Sequence, residues 1–325
     1  MPIRFSAGVW AFDGCGDRFM LKGYRDGKPV ADRIKEAAGI PGLSGVELNY
    51  PGDVTDGNLD EVEEALKENG LQASIIGVDH TGQRKWQYGS LAAPDDGIRR
   101  EAVDLARRAM DIAARLGAGQ INIWLGQDGF DYCFQVDYPK AWGWLVESLG
   151  EIAGYRGDVR VCVEYKPKEP RTHSYINSAA KALLLVQEVG RDNIGVTIDV
   201  GHSLNAGENV AEALCLLASH GKMFHFHFND NYRSWDDDLL VGSVHLMEYI
   251  ELVYWLQKVG YDGWYSLDVF PYREDPVKVC RESIATLQGI IGLVNRMGVS
   301  KLDDLIAKGD VINTLAFIRQ HILTG

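Results

Sequence analysis

Eight times along this chain a short β-branched and apolar run gives way to a longer segment of helical spacing, and that rhythm narrows the fold more than any other property. IRFSAGVW precedes VADRIKEAAG, SGVELNY precedes LDEVEEALKENG, and QASIIGV precedes GIRREAVDLARRAMDIAARLG. The pattern continues with AGQINIWLG before a helix over 138–154, VRVCVEY before 175–189, and NIGVTID before 210–220. KMFHFHFN then precedes a helix over 244–259, and DGWYSLDV one over 276–294. Strands that alternate with helices need crossover connections and therefore run parallel. Eight such units in 325 residues predict an α/β chain folded as a single (β/α)8 barrel, closed and not an open doubly wound sheet. No linker rich in Pro, Gly or Ser interrupts the series, so one barrel is expected over residues 1–297. VSKLDDLIAKG and INTLAFIRQHILTG predict a C-terminal helical extension over 298–325, packed on the barrel or on a neighbouring subunit of a homo-oligomer, a dimer or tetramer.

Charge and cysteine content limit the partners. The formal net charge of −13, with no basic stripe, opposes a nucleic acid partner. Five cysteines, odd in number, scattered and without a C-x-x-C pair, read as reduced thiols in a cytoplasmic protein. MPIRFSAGVW lacks the features of a signal peptide, and no run approaches the ~18 apolar residues of a membrane span, so no membrane partner is expected.

In such a barrel the chemistry sits where strands end and loops begin. The stretch FHFHFNDNYRSWDDDLLVG is informative there. Period-two alternation puts Phe224, Phe226 and Phe228 on one face, and His225, His227 and Asn229 on the other. The strand before it ends in Asp199, with His202 in the first turn of the following loop. One strand earlier VCVEYKP ends in Glu164, with Lys166 two residues on and on the same face. The last strand ends in Asp268, and WDDDL supplies Asp236 and Asp238. A terminal Asp is often only a helix cap, and a charge run is usually a solvated loop. Four consecutive strands delivering a carboxylate or imidazole at one height, however, predict a site for divalent cations. Carboxylates with histidine and no thiolate suit Mn²⁺, Mg²⁺ or Co²⁺ better than structural zinc. Glu164, Asp199, His227 and Asp268 would hold one ion. His202, Asp236 and Asp238, with Asp199 bridging, would hold a second. Lys166 could polarise a carbonyl oxygen in the same cavity.

These residues resemble the xylose isomerase-like barrels, and within them the aldose–ketose isomerases such as xylose and L-rhamnose isomerase. VEYKPKEPR is similar to that group's Glu-x-Lys-Pro-x-Glu-Pro-Arg motif, DVGH to its bridging acid and histidine, and WDDDLLVG to its Asp-x-Asp pair; LDVFP resembles the last ligand strand. The resemblance spans roughly residues 3–290, including GVW at Trp10 and WLGQDG at Trp124. Asp199 and His227 stand where xylose isomerase has a glutamate and an aspartate, as in the rhamnose isomerase version. Asn49 stands where xylose isomerase carries a histidine implicated in ring opening. The resemblance implies two divalent cations and a monosaccharide substrate, with a metal-assisted 1,2-hydride shift that relies on Lys166, Glu164 and Asp236. Trp10 and Trp124 would wall the pocket, and Asn49, His80 and Asn229 would contact substrate hydroxyls. Its rivals are a ketose 3-epimerase working through an enediolate, an apurinic-site endonuclease with a trinuclear zinc cluster, and a non-catalytic sugar-binding barrel.

Overall fold

A computed structural model describes residues 3–324. Eight parallel strands close into a barrel: β1 (Arg4–Gly8), β2 (Leu43–Tyr50), β3 (Gln72–Val78), β4 (Gln120–Trp124), β5 (Arg160–Glu164), β6 (Ile194–Asp199), β7 (Met223–Phe228) and β8 (Trp264–Leu267). Each pairs with its neighbour in sequence, and β8 pairs with β1 to complete the ring, as Ser6 opposite Ser266 shows. The expected architecture is therefore the observed one.

Between the strands run α1 (Val30–Ala38), α2 (Leu59–Glu68), α3 (Asp96–Leu116), α4 (Tyr138–Tyr155), α5 (Ala179–Val189), α6 (Val200–Asn205), α7 (Val210–Ser219), α8 (Leu246–Val259) and α9 (Pro276–Met297). Their ends are written in the sequence. Asp95, Asp137, Ser178 and Asp275 each accept a backbone N–H from the first turn of α3, α4, α5 and α9, satisfying a donor that the helix itself leaves free. Gly117, Gly190 and Gly260 close α3, α5 and α8 in the left-handed conformation that costs glycine least. Two features went unforeseen. Helix α6 is too short to show a period, and Gly129–Phe130, Lys168–Glu169 and Thr172–Ser174 form a small three-stranded sheet beside the mouth.

The core divides by strand alternation. Outward residues such as Val46, Leu48, Ile121, Ile123, Phe226 and Phe228 are buried under the helices, where Phe228 stacks on Tyr265 at 5.0 Å between ring centres. Inward residues are polar and equally buried: Ser6, Glu47, Asn122, Thr197, His225 and Ser266. A barrel interior filled by branched apolar side chains needs no partners; this one must satisfy every polar group.

Beyond α9, α10 (Val299–Lys308) and α11 (Val311–Thr324) fold back, with Leu302 buried and Phe317, Ile318 and Ile322 packed against the core. Met1, Pro2 and Gly325, which the expected barrel and extension include, lie outside the described residues. Among the described residues no helix is long and apolar enough to cross a membrane.

Candidate metal centre

Strands β5 to β8 end on one side of the barrel mouth. Glu164 and Asp199 are the last residues of β5 and β6, His227 lies one residue inside the end of β7, and Asp268 follows β8 directly. Parallel pairing sets His227 level with both Asp199 and Ser266. One ligand atom from each of Glu164, Asp199, His227 and Asp268 therefore falls within 4.8 Å of all the others.

The donor set fits a divalent cation. His227 Nδ1 lies 3.4 Å from Glu164 Oε1, 3.3 Å from Asp268 Oδ2 and 3.9 Å from Asp199 Oδ2. It is buried, and none of these contacts is directed as a hydrogen bond. Such an atom would be costly to leave unpaired, and one cation would serve it and all three carboxylates. Each carboxylate is also steered. Glu164 Oε2 accepts from Asn122 Nδ2 at 2.5 Å, and Asp268 Oδ1 accepts from the Trp10 indole at 2.9 Å. Asp199 accepts from the His202 backbone N–H at 2.8 Å and from Asn229 Nδ2 at 2.9 Å. Outer partners of this kind fix which oxygen faces the centre.

A second set gathers Asp199, His202 and Asp236. His202 Nε2 lies 3.1 Å from Asp236 Oδ2, and Asp236 Oδ1 is buried without a partner. His202 is not in a loop as expected: it occupies the first turn of α6, because Asp199 caps that helix. Asp199 belongs to both sets. Asp238 lines the same cavity and accepts from Asn229 Nδ2 at 3.1 Å, but it is not gathered with either set.

Lys166, 5 % exposed, donates to Asp236 Oδ2 at 2.6 Å and to Glu169, and its ammonium lies 5.0 Å from the centre of the Trp124 ring. Burial alone would lower its pKa, but the Asp236 and Glu169 carboxylates outweigh burial and hold it charged. Burial drives Asp199 up to about 7, with Asp236, Asp268 and Glu164 adding to the rise against His202. Asp238 is raised well above the usual range, first by burial and then by Asp236 and Asp268. Glu164 goes the other way, since the imidazoles of His227 and His202 overcome its burial. Carboxylates this crowded resist full ionisation, and bound cations would relieve them.

The cavity above the centre measures about 460 Å³ and is walled by Trp10, Asn49, Trp124, Phe270 and Tyr272. Two glycines make room for these walls: a Cβ at Gly8 would sit 2.1 Å from the Trp10 ring, and one at Gly77 would sit 2.1 Å from Asn49 Oδ1. His80 and Asn229 do not line the cavity as expected. His80 turns away from it, its Nε2 reaching the Ala102 carbonyl oxygen at 3.0 Å and its ring lying edge-on to Trp86. Asn229 is fully buried because the chain leaves β7 there; it accepts from the Gly201 N–H at 2.8 Å and braces Asp199 and Asp238. Glu47, Asn122 and Glu169 were not anticipated. The first two lie between outward apolar residues in VELN and INI, so alternation puts them on the inward face, but only closure of the barrel shows what they meet.

Comparison with known proteins places this geometry. Residues 34–290 match the xylose isomerase-like TIM barrel family. A xylose isomerase from Thermus thermophilus is 28% identical over 289 residues, covering 84% of this chain and 74% of its own. Two solved structures share the fold. D-psicose 3-epimerase with D-tagatose from Clostridium cellulolyticum H10 superposes with a TM-score of 0.70 at 18% identity, over 89% of this chain and 99% of that one. A 3-keto-D-glucoside 4-epimerase from E. coli superposes at 0.66 with 19% identity, over 89% and 100%. With a closed eight-stranded barrel and that match over most of its length, the chain belongs to the xylose isomerase-like TIM barrel family.

Proposed function

We propose that the protein is a divalent-metal-dependent sugar isomerase that interconverts an aldose and a ketose by a 1,2-hydride shift. The observation that carries this reading is the His227 Nδ1 atom, buried and unpaired among three carboxylates, with the Lys166 ammonium facing the adjoining cavity. Glu164, Asp199, His227 and Asp268 would hold one ion. His202, Asp236 and Asp199, with Asp238 beside them, would hold the other, as Mn²⁺ or Mg²⁺, with Co²⁺ also suited. When bound, the ions would supply Lewis acidity to neighbouring oxygens of an open-chain monosaccharide.

The chain's own groups do the rest. Lys166, kept charged by Asp236 and Glu169, stabilises negative charge at a carbonyl oxygen. Asp236, beside the cavity, accepts from the Lys166 ammonium and holds it toward the substrate. The rings of Trp10 and Trp124 cover the apolar face of the sugar and keep water from the migrating hydride. Asn49, on the far wall, offers its amide to a hydroxyl further along the chain.

A panel of aldoses and ketoses incubated with the protein and Mn²⁺ in D₂O, read by NMR, tests this. Ketose without solvent deuterium at the reacting carbons is the expected product. Ketose with deuterium at those carbons would replace the hydride shift with proton transfer, a C3-epimeric ketose carrying deuterium would replace isomerisation with epimerase chemistry, and no conversion of any sugar would leave a binding protein.

A further inference from the structure

Beneath the cavity lies a second polar layer that the reaction does not touch. Glu47, on β2, is 2 % exposed and uses both carboxylate oxygens across the barrel. Its Oε1 lies 2.7 Å from His225 Nε2, and its Oε2 lies 3.0 Å from His227 Nε2. Ser266 Oγ also donates to Oε1, and Ser6 Oγ lies 2.5 Å from Ser266 Oγ. On the far side Gln120 Nε2 faces His225 Nδ1 at 3.2 Å and donates to the Ser74 carbonyl oxygen, which fixes the direction of its amide.

Hydrogen-bond bookkeeping then fixes the Nε2 end of both rings. An ionised carboxylate only accepts, so both imidazoles must carry their proton on Nε2. His225 Nδ1 accepts from Gln120, and its ring is fully used. His227 has only Nδ1 left, and Nδ1 is the atom that faces Glu164, Asp199 and Asp268. Glu47, His225 and His227 also bring three ligand atoms within 4.8 Å, but those atoms are already engaged with one another, so this trio reads as a brace and not as a further metal site.

We propose that Glu47 is a positioning residue: it clamps two histidines of one strand through its two oxygens and so aims His227 Nδ1 at the position of the first cation. The inference rests on the metal reading above for its consequence, although the clamp itself does not. Glu47→Gln is the discriminating variant. A carboxamide offers one acceptor and one donor, so one imidazole must lose its Nε2–H bond.

Two measurements separate the possibilities. In ¹⁵N-histidine NMR of the wild-type protein, the Nε2 protons of His225 and His227 should be slow to exchange whether or not an ion is bound, and E47Q should lose at least one of them. An unchanged pair of signals in a folded E47Q protein would overturn the clamp. Calorimetric titration with Mn²⁺ should show the first site weakened roughly 10- to 100-fold and the His202–Asp236 site unchanged. Equal weakening of both sites, or of neither, would overturn the positioning role. A wild-type protein that takes up no Mn²⁺ would instead remove the metal reading and the positioning role with it, while the NMR result still decides the clamp.

Discussion

The two halves of the barrel mouth contribute different things. Strands β5 to β8 supply the ligand-type side chains Glu164, Asp199, His227 and Asp268. Strands β1 to β4, with the turn after β1, supply the side chains that steer three of them: the Trp10 indole holds Asp268, Glu47 holds His227, and Asn122 holds Glu164, while Asp199 is held from its own half by Asn229. Because a closed barrel brings opposite strands within side-chain reach across its interior, one half can collect charge while the other fixes its direction. The sequence alternation that buries apolar residues outward leaves the inward positions of both halves free for this work.

That division makes graded predictions. Removing a ligand from the second half should hurt most. His227→Ala or Glu164→Gln should abolish binding of one ion and lower turnover by ~10³-fold or more, the scale of several kcal/mol of lost Lewis acidity. Metal content and aldose conversion, measured together, check this. Lys166→Ala comes next: it should lower turnover by roughly 10²- to 10³-fold, the effect of losing one charge-stabilising donor, while both ions still bind. Full activity in that variant would remove the lysine from the mechanism.

Removing a steering group from the first half should be milder. Asn122→Ala frees Glu164 Oε2 and should weaken Mn²⁺ binding by roughly 10- to 100-fold without changing the number of ions bound. A loss as large as that of a ligand variant would erase the distinction between the halves.

The distinction also has a pH signature. Asp199 is held protonated up to about 7 in the cation-free site, and against burial the surrounding carboxylates hold the His202 and His227 imidazoles well above their usual range, so binding must expel protons from all three. Mn²⁺ affinity should therefore rise with pH across the range 5 to 8, by about tenfold per unit for each proton expelled. The same raised pKa means that Asp199 contributes to the stability of the cation-free fold below its ordinary value of 3.8, and that this contribution is lost as pH rises towards 7. A flat affinity profile between pH 5 and 8, on isothermal titration, would contradict it. Smallest for function is Leu302→Ala in α10, which should cost about 2–5 kcal/mol of stability and leave metal binding and turnover unaltered.

Much of this was legible in the sequence, for reasons that can be named. The eight strands showed because each is a short β-branched or apolar run beside a helix of 3.6 spacing, several of these helices with an N-cap that accepts from the first turn. Glu164, Asp199, His227 and Asp268 showed because a parallel barrel places all strand ends on one rim. Glu47 stayed hidden because a lone glutamate between Val46 and Leu48 resembles a solvated strand position until the barrel closes and His225 and His227 come within its reach. Alternation predicts Asn229 on the inward face of β7, but β7 ends at Phe228, and past that end the period no longer says what a side chain meets. His80 lies beyond the end of β3, where no period constrains a side chain, and the chain turns it under α3.

Cation binding by the second half of the barrel is the central requirement. Protein stripped with a chelator and titrated calorimetrically with Mn²⁺ should take up two ions per chain, one for each ligand set, and His227→Ala should lose one of them. No uptake by the wild-type protein, or unchanged uptake by the variant, would contradict it.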